Sequence, residues 1–136
     1  MKNSWSRHWS SSKQPRKQRK YRANAPLHVR QRLLAAHLSK DLRNEYKRRS
    51  LSVRTGDEVT VKRGEFVGKS GRIVEVNLHD LKIFVDGVKR KMASGQEKNA
   101  ALDPSNVVVT KLNMDDKKRL KSAKKAKAIN SPAKRE

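Results

Sequence analysis

The first acidic residue in this chain is Asp41. Residues 1–50 carry 15 basic and 2 acidic side chains, net +13. Residues 51–110 carry 10 and 8, net +2, and residues 111–136 carry 10 and 3, net +7. A near-neutral middle therefore sits between two cationic flanks. A block of like charge repels itself and does not condense alone. It orders when phosphates neutralise it, and ordering then draws on binding energy. Over all 136 residues the net charge is +22, and charged residues make up 35%, against about 25% in ordinary domains. Apolar residues make up only 34%, so the whole length does not pack as one core. A solubilising tail or localisation signal needs about 5–8 basic residues. This excess is larger and lies on both sides of the middle, which points to a polyanionic partner.

Several function classes drop out. The chain has no Cys, which removes disulfides, thiolate metal sites and cysteine nucleophiles. No apolar run approaches the roughly 20 residues that cross a bilayer, and the N-terminus has no apolar core of a secretory signal. A soluble, intracellular protein with no membrane partner is expected. His8, His28, His37 and His79 are scattered, with no i, i+4 pair. His79-Asp80 reads as a turn, and Asp115-Asp116 as helix capping. No catalytic constellation, metal site, cofactor or small-molecule substrate is expected.

Residues 1–24 read as a disordered basic extension. Its cations Lys13, Arg16, Lys17, Arg19, Lys20 and Arg22 surround Tyr21, with Trp5 and Trp9 upstream. Aromatic rings among cations can stack on unpaired bases while the cations hold phosphate; equally, the rings can pack on protein. Residues 25–50 read as a short helical segment, with two short helices over 27–48. Leu27, Leu33, Leu34 and Leu38 give the first an apolar face, with Arg30 and Arg32 pointing elsewhere. Pro26 suits its first turn. Ser39 is the expected N-cap of the second, and Leu42 and Tyr46 share a face. Lys47, Arg48 and Arg49 follow at its C-terminus and offer phosphate contacts.

Residues 51–112 change period. Val59 and Val61 alternate with Thr60 and Lys62, as do Leu81, Ile83 and Val85 with Lys82 and Phe84. Asp86-Gly87 predicts a hairpin turn, Ser94-Gly95 another, and Val107-Val108-Val109 a last strand. Short strands punctuated this often suggest a small all-β barrel. Residues 113–136 read as a basic C-terminal segment, with Asn113 as N-cap, Asp115 and Asp116 in the first helical turn, and Lys117 to Lys127 continuing the helix.

One stretch carries a motif. Gly64-Glu65-Phe66-Val67-Gly68-Lys69-Ser70 fails as a nucleotide-binding P-loop, because three residues separate the glycines where four are needed. The helix required after it is replaced by the strand-like Gly71-Arg72-Ile73-Val74-Glu75-Val76. The run from Gly56-Asp57-Glu58-Val59 through Val76 instead resembles the KOW motif, a hairpin of SH3-like barrels in ribosomal proteins and transcription elongation factors. Gly64, Gly68 and Gly71 let the loop bend tightly. Lys62, Arg63, Lys69 and Arg72 surround it and can reach phosphates. The fold class expected is mainly β, an SH3-like KOW barrel flanked by short helices and basic extended tails.

The flanks choose between the two kinds of KOW protein. Ser12 to Lys20, Ala25-Pro26-Leu27-His28-Val29-Arg30, Leu38 to Arg43, Arg48 to Arg54 and Asp103 to Val109 are similar to one family. It is the large-subunit ribosomal protein known as L twenty-four in bacteria and L twenty-six in eukaryotes, in its archaeal and eukaryotic branch. The likeness runs from Ser12 to about Leu120. After Gly95, where that family would carry an apolar β segment, this chain has Gln96-Glu97-Lys98-Asn99-Ala100-Ala101. The resemblance implies direct binding to large-subunit ribosomal RNA near its 5′ end and early entry into assembly. It also implies a place near the polypeptide exit tunnel, with neighbouring ribosomal proteins as partners in the cytoplasm. The rival reading is a transcription elongation regulator, which would normally need a second domain.

Overall fold

Val59 and Val61 are fully buried, while Glu58 and Thr60, which alternate with them, are not. That alternation builds strand β3 (Glu58–Val61), as its period of two predicts. The computed structural model describes residues 4–115 together with Arg119. Within that span lie β1 (Ala35–Leu38), β2 (Ser50–Ser52), β4 (Ser70–Asn77), β5 (Lys82–Lys91), β6 (Glu97–Leu102) and β7 (Val107–Lys111). The helices are α1 (Pro15–Asn24), α2 (Leu27–Leu33) and α3 (Lys40–Tyr46). The sheet runs β2-β1-β7-β3-β4-β5-β6. Every pairing is antiparallel except that of β1 with β7. This is the mainly β architecture of a small SH3-like fold. The core gathers Leu34, Ala36, Leu38, Val59, Val61, Ile73, Ile83, Val85, Val88, Val107 and Val109. Each such aliphatic side chain taken fully from water contributes roughly 1.5–3 kcal/mol.

Local signals held where the chemistry was local. Ser39 caps α3, its hydroxyl accepting from the Leu42 N–H at 3.4 Å. Tyr46 is buried and Leu42 half-buried on one face of that helix. Burial, with the Glu45 charge behind it, raises the Tyr46 phenol pKa above its usual value. The Ser94-Gly95 turn joins β5 to β6, with Met92 N–H donating to Gln96 O at 2.8 Å. The polar run from Glu97 to Asn99 and the alanines after it belong to β6, which pairs with β5 in register Lys89↔Asn99 and Phe84↔Ala101.

Three expectations needed correction. Leu27 and Leu33 are 61% and 37% exposed, and Leu38 belongs to a strand. The four leucines do not share one helix face, because β1 is held by β2 on one side and β7 on the other. Asp86-Gly87 is not a turn but lies inside β5. The positive φ of Gly87 (74°) serves a bulge, where the β5–β6 register shifts between Phe84 and Lys89. Such a bulge bends a strand and increases its twist. Behind the bend the chain passes close to β4: a Cβ on Gly71 would overlap the carbonyl oxygen of Asp86. Third, residues 7–24 are not disordered. A 3-10 turn (Arg7–Ser11) leads into α1, which starts with Pro15 in its first turn. The Gln18 side-chain amide donates to the carbonyls of Trp9, Ser10 and Ser12 and binds turn to helix.

One ion pair is fully enclosed. Asp57 has no exposed surface, and both its oxygens accept from the Arg119 guanidinium at 2.7 Å. The same carboxylate accepts from the Arg54 N–H (3.0 Å) and the Asn113 N–H (2.9 Å). Arg119 also donates to Ser52 O at 3.1 Å. Asp57 thus joins the entry to β3, the exit from β7 and a residue 62 positions away. The Asn113 side-chain oxygen accepts from the Asp115 N–H at 3.1 Å. Apart from Arg119, the expected helix from Lys117 to Lys127 lies outside the described residues.

Removing one partner of a buried pair strands the other charge at a cost of about 3–5 kcal/mol. Asp57→Asn should therefore lower stability by that amount in urea unfolding. Adding Arg119→Met to it should recover part of the loss. Equal loss in the single and double variants would contradict a specific pairing.

Candidate nucleic-acid interface

The motif loop joins β3 to β4. Its start is tied down by Asn106, whose carbonyl accepts from the N–H groups of Lys62 (2.8 Å) and Arg63 (3.2 Å). Its end is closed by Val61 N–H on Lys69 O (2.8 Å) and Gly68 N–H on Val61 O (3.0 Å). Gly64 and Gly68 take φ of 98° and 88°, so the loop uses two left-handed positions. Lys62, Arg63 and Lys69 are exposed around it, and Arg72 follows on β4. Lys69 Nζ stands 5.2 Å from the centre of the Phe66 ring, a cation–π contact. Arg72 lies 3.9 Å from Glu58, and Arg90 reaches in from β5 to Glu65 at 2.6 Å. Among the described residues, Lys62 and Arg63 have no ion-pair partner.

A second cationic surface is built by α1. Lys13, Arg16, Lys17, Arg19 and Arg22 lie on it or just before it. The helix buries none of its residues. It is held instead by aromatic and polar contacts. Tyr21 stacks on Trp5 with ring centroids 5.5 Å apart. Lys20 lies over the Trp9 ring at 5.2 Å and donates to the Ser4 hydroxyl at 3.2 Å.

The other predicted cations divide by role. Arg30 is committed to the fold: its guanidinium donates to the carbonyls of Ala25 (2.8 Å), His79 (2.6 Å) and Ala23. It locks the end of α1 and the start of α2 to the turn between β4 and β5. In that turn Asn77 accepts from the N–H groups of His79 and Asp80. A hydrogen bond from the His79 ring holds the Asp80 carboxyl below its usual pKa. Lys47 ends α3 in the left-handed region, and Arg49 is exposed. Arg32 and Arg48, far apart in sequence, come together in a groove of about 390 Å³ shared with His28, Arg54 and Arg119. The loop and α1 cations remain separate clusters.

Sequence reasoning missed two features. Asp57 stood in the sequence only as part of the motif run, and nothing local marks its partner Arg119. The β5–β6 hairpin carries Lys89, Arg90, Lys91 and Lys98, all exposed; the three consecutive cations were a readable signal. Among the described residues no His, Asp and Glu side chains gather as a metal site. No described helix is long and apolar enough to cross a membrane.

Comparison with known proteins decides between the two KOW readings. A family model for the ribosomal proteins called L twenty-six in eukaryotes and L twenty-four in archaea matches residues 12–126. The chain belongs to this family. Among curated relatives, the "Large ribosomal subunit protein uL24" of Methanothrix thermoacetophila is 52% identical over 110 residues, covering 81% of this chain and 95% of that one. The proteins of the same name from Methanospirillum hungatei and Methanosarcina barkeri are 53% and 50% identical. They align over 79% and 84% of this chain, and over 90% and 98% of their own lengths. The family match begins at residue 12, so Trp5 and Trp9 lie outside it.

The Arg30 clamp has a measurable consequence. Arg30→Ala removes three charge-assisted bonds and should loosen the α1–α2 joint by about 1–3 kcal/mol. Hydrogen exchange should accelerate across residues 15–25 and stay unchanged in β3 and β7. Uniform exchange rates in variant and parent would contradict this role.

Proposed function

We propose that this chain is a structural, non-enzymatic component of the large ribosomal subunit, working in the cytoplasm as part of the ribosome. It binds large-subunit ribosomal RNA directly, near the 5′ end, joins early in assembly and lies near the polypeptide exit tunnel beside other ribosomal proteins. Family membership supports the ribosomal role. The observation that carries the RNA contact is the excess of exposed cations over acids on the closed loop and on α1.

The mechanism follows from charge. Lys13, Arg16, Lys17, Arg19, Lys20 and Arg22 on the N-terminal segment, and Lys62, Arg63, Lys69 and Arg72 on the loop, displace counterions from phosphates. Arg32 and Arg48 in their groove, with Lys47 and Arg49, add further phosphate contacts. Phosphate contacts fix position, while the shape of folded RNA supplies selectivity. Closing the loop through Asn106 and Lys69 sets the cations before binding, which lowers the ordering cost on contact.

Binding to a 5′-domain fragment of large-subunit RNA should fall linearly on a log–log salt plot. The slope should be about −0.7 to −0.9 for each neutralised phosphate. Lys62→Ala with Arg63→Ala should make it shallower by about 1.4–1.8. A salt-independent affinity, or equal affinity for a 3′-domain fragment, would overturn the reading.

A further inference from the structure

Residues 4–11, which precede the family match, are folded against the rest of the chain. Trp5 and Tyr21 lie stacked, their planes 28° from parallel. They wall a hollow of about 320 Å³ that His28, Arg32 and Leu33 help to line. Its size is at the small end of ligand sites, which run from roughly 300 to 1,000 Å³. His28 and Arg32 stand at i, i+4 on α2 and so share a face. Both also line the arginine-rich groove beside β2. The two hollows therefore meet, aromatic and aliphatic at one end and cationic at the other. Leu33 is 37% exposed there, and the Trp5 indole N–H is buried with no acceptor among the described residues.

A flat π-face next to an anion is the chemistry of a nucleotide. We propose that this trough takes one unpaired RNA nucleotide. Its base lies against the Trp5–Tyr21 wall and Leu33, and its phosphate sits at His28 and Arg32. The site rests on the RNA-binding reading above and adds to it a specific demand for single-stranded RNA. A duplex keeps its bases stacked inside and presents only backbone. A splayed base supplies the ring face that a duplex hides.

The test uses the full chain with Trp9→Phe, which leaves Trp5 as the only tryptophan. The probes are a labelled single-stranded oligoadenylate and a labelled blunt-ended RNA duplex with no loop. Oligoadenylate should quench Trp5 fluorescence, and the duplex should bind without quenching. Trp5→Ala should weaken oligoadenylate binding by about fivefold to a hundredfold, the usual worth of one stacked base. Duplex affinity should stay within about twofold. Arg32→Gln should weaken the oligoadenylate in the same direction, which covers the case in which Trp5→Ala unfolds the N-terminal segment. If both RNAs bind but quench equally, or if neither variant distinguishes them, the site is overturned and RNA binding stands. If neither RNA binds, the RNA-binding reading falls and the site falls with it.

Discussion

Thirty-five cations against thirteen acids is the constraint that orders everything else in this molecule. Charge of that size stays on the surface, since an unpaired ion inside protein costs several kcal/mol. The barrel meets the constraint by spreading acids among its own cations. Glu58 lies near Arg72 and Lys111, Asp103 near Lys82, Glu97 near Lys89 and Glu65 near Arg90. Exposed pairs of this kind are worth about 0–1 kcal/mol each, so they balance charge rather than hold the fold. The fold is held by the aliphatic core and by one enclosed pair, Asp57 with Arg119. Residues 1–40 have no acid of their own to balance them, and most of their described cations are exposed.

The N-terminal segment shows how a cationic stretch takes shape without a hydrophobic core. Its helix contributes nothing buried. Gln18, the Trp5–Tyr21 stack and the Arg30 clamp replace burial with directed contacts. Arg30 turns one member of the cationic set into a fastener that positions the others. A pre-shaped surface loses less conformational entropy when it meets a rigid partner. For the proposed RNA contact, part of that ordering has already taken place within the chain.

What was legible in the sequence was what short-range physics decides. The Val59/Val61 alternation, the Ser39 cap, the Ser94-Gly95 turn and the Val107–Val109 strand need only their neighbours. The misses have non-local causes. Ala35–Leu38 became a strand because Val108 and Val109 lie alongside it, 71 residues on in the registered pair His37↔Val108. Leu33, Leu34 and Leu38 imitate helical spacing all the same. Gly87 advertised its positive φ correctly, but the same φ suits a turn or a bulge, and only the approach of Gly71 selects the bulge. At the candidate interface, the motif loop and its cations could be read directly. The fastening role of Arg30, the meeting of Arg32 with Arg48 and the link from Asp57 to Arg119 all depend on the completed fold.

The central claim is that the unbalanced cations of the loop and α1 lie against ribosomal RNA. Lysine-reactive footprinting of this chain, free and within assembled large subunits, tests it most directly. Lys13, Lys17, Lys62 and Lys69 should react readily in the free protein and be protected in the particle. Unchanged reactivity of these four lysines after assembly would contradict the account.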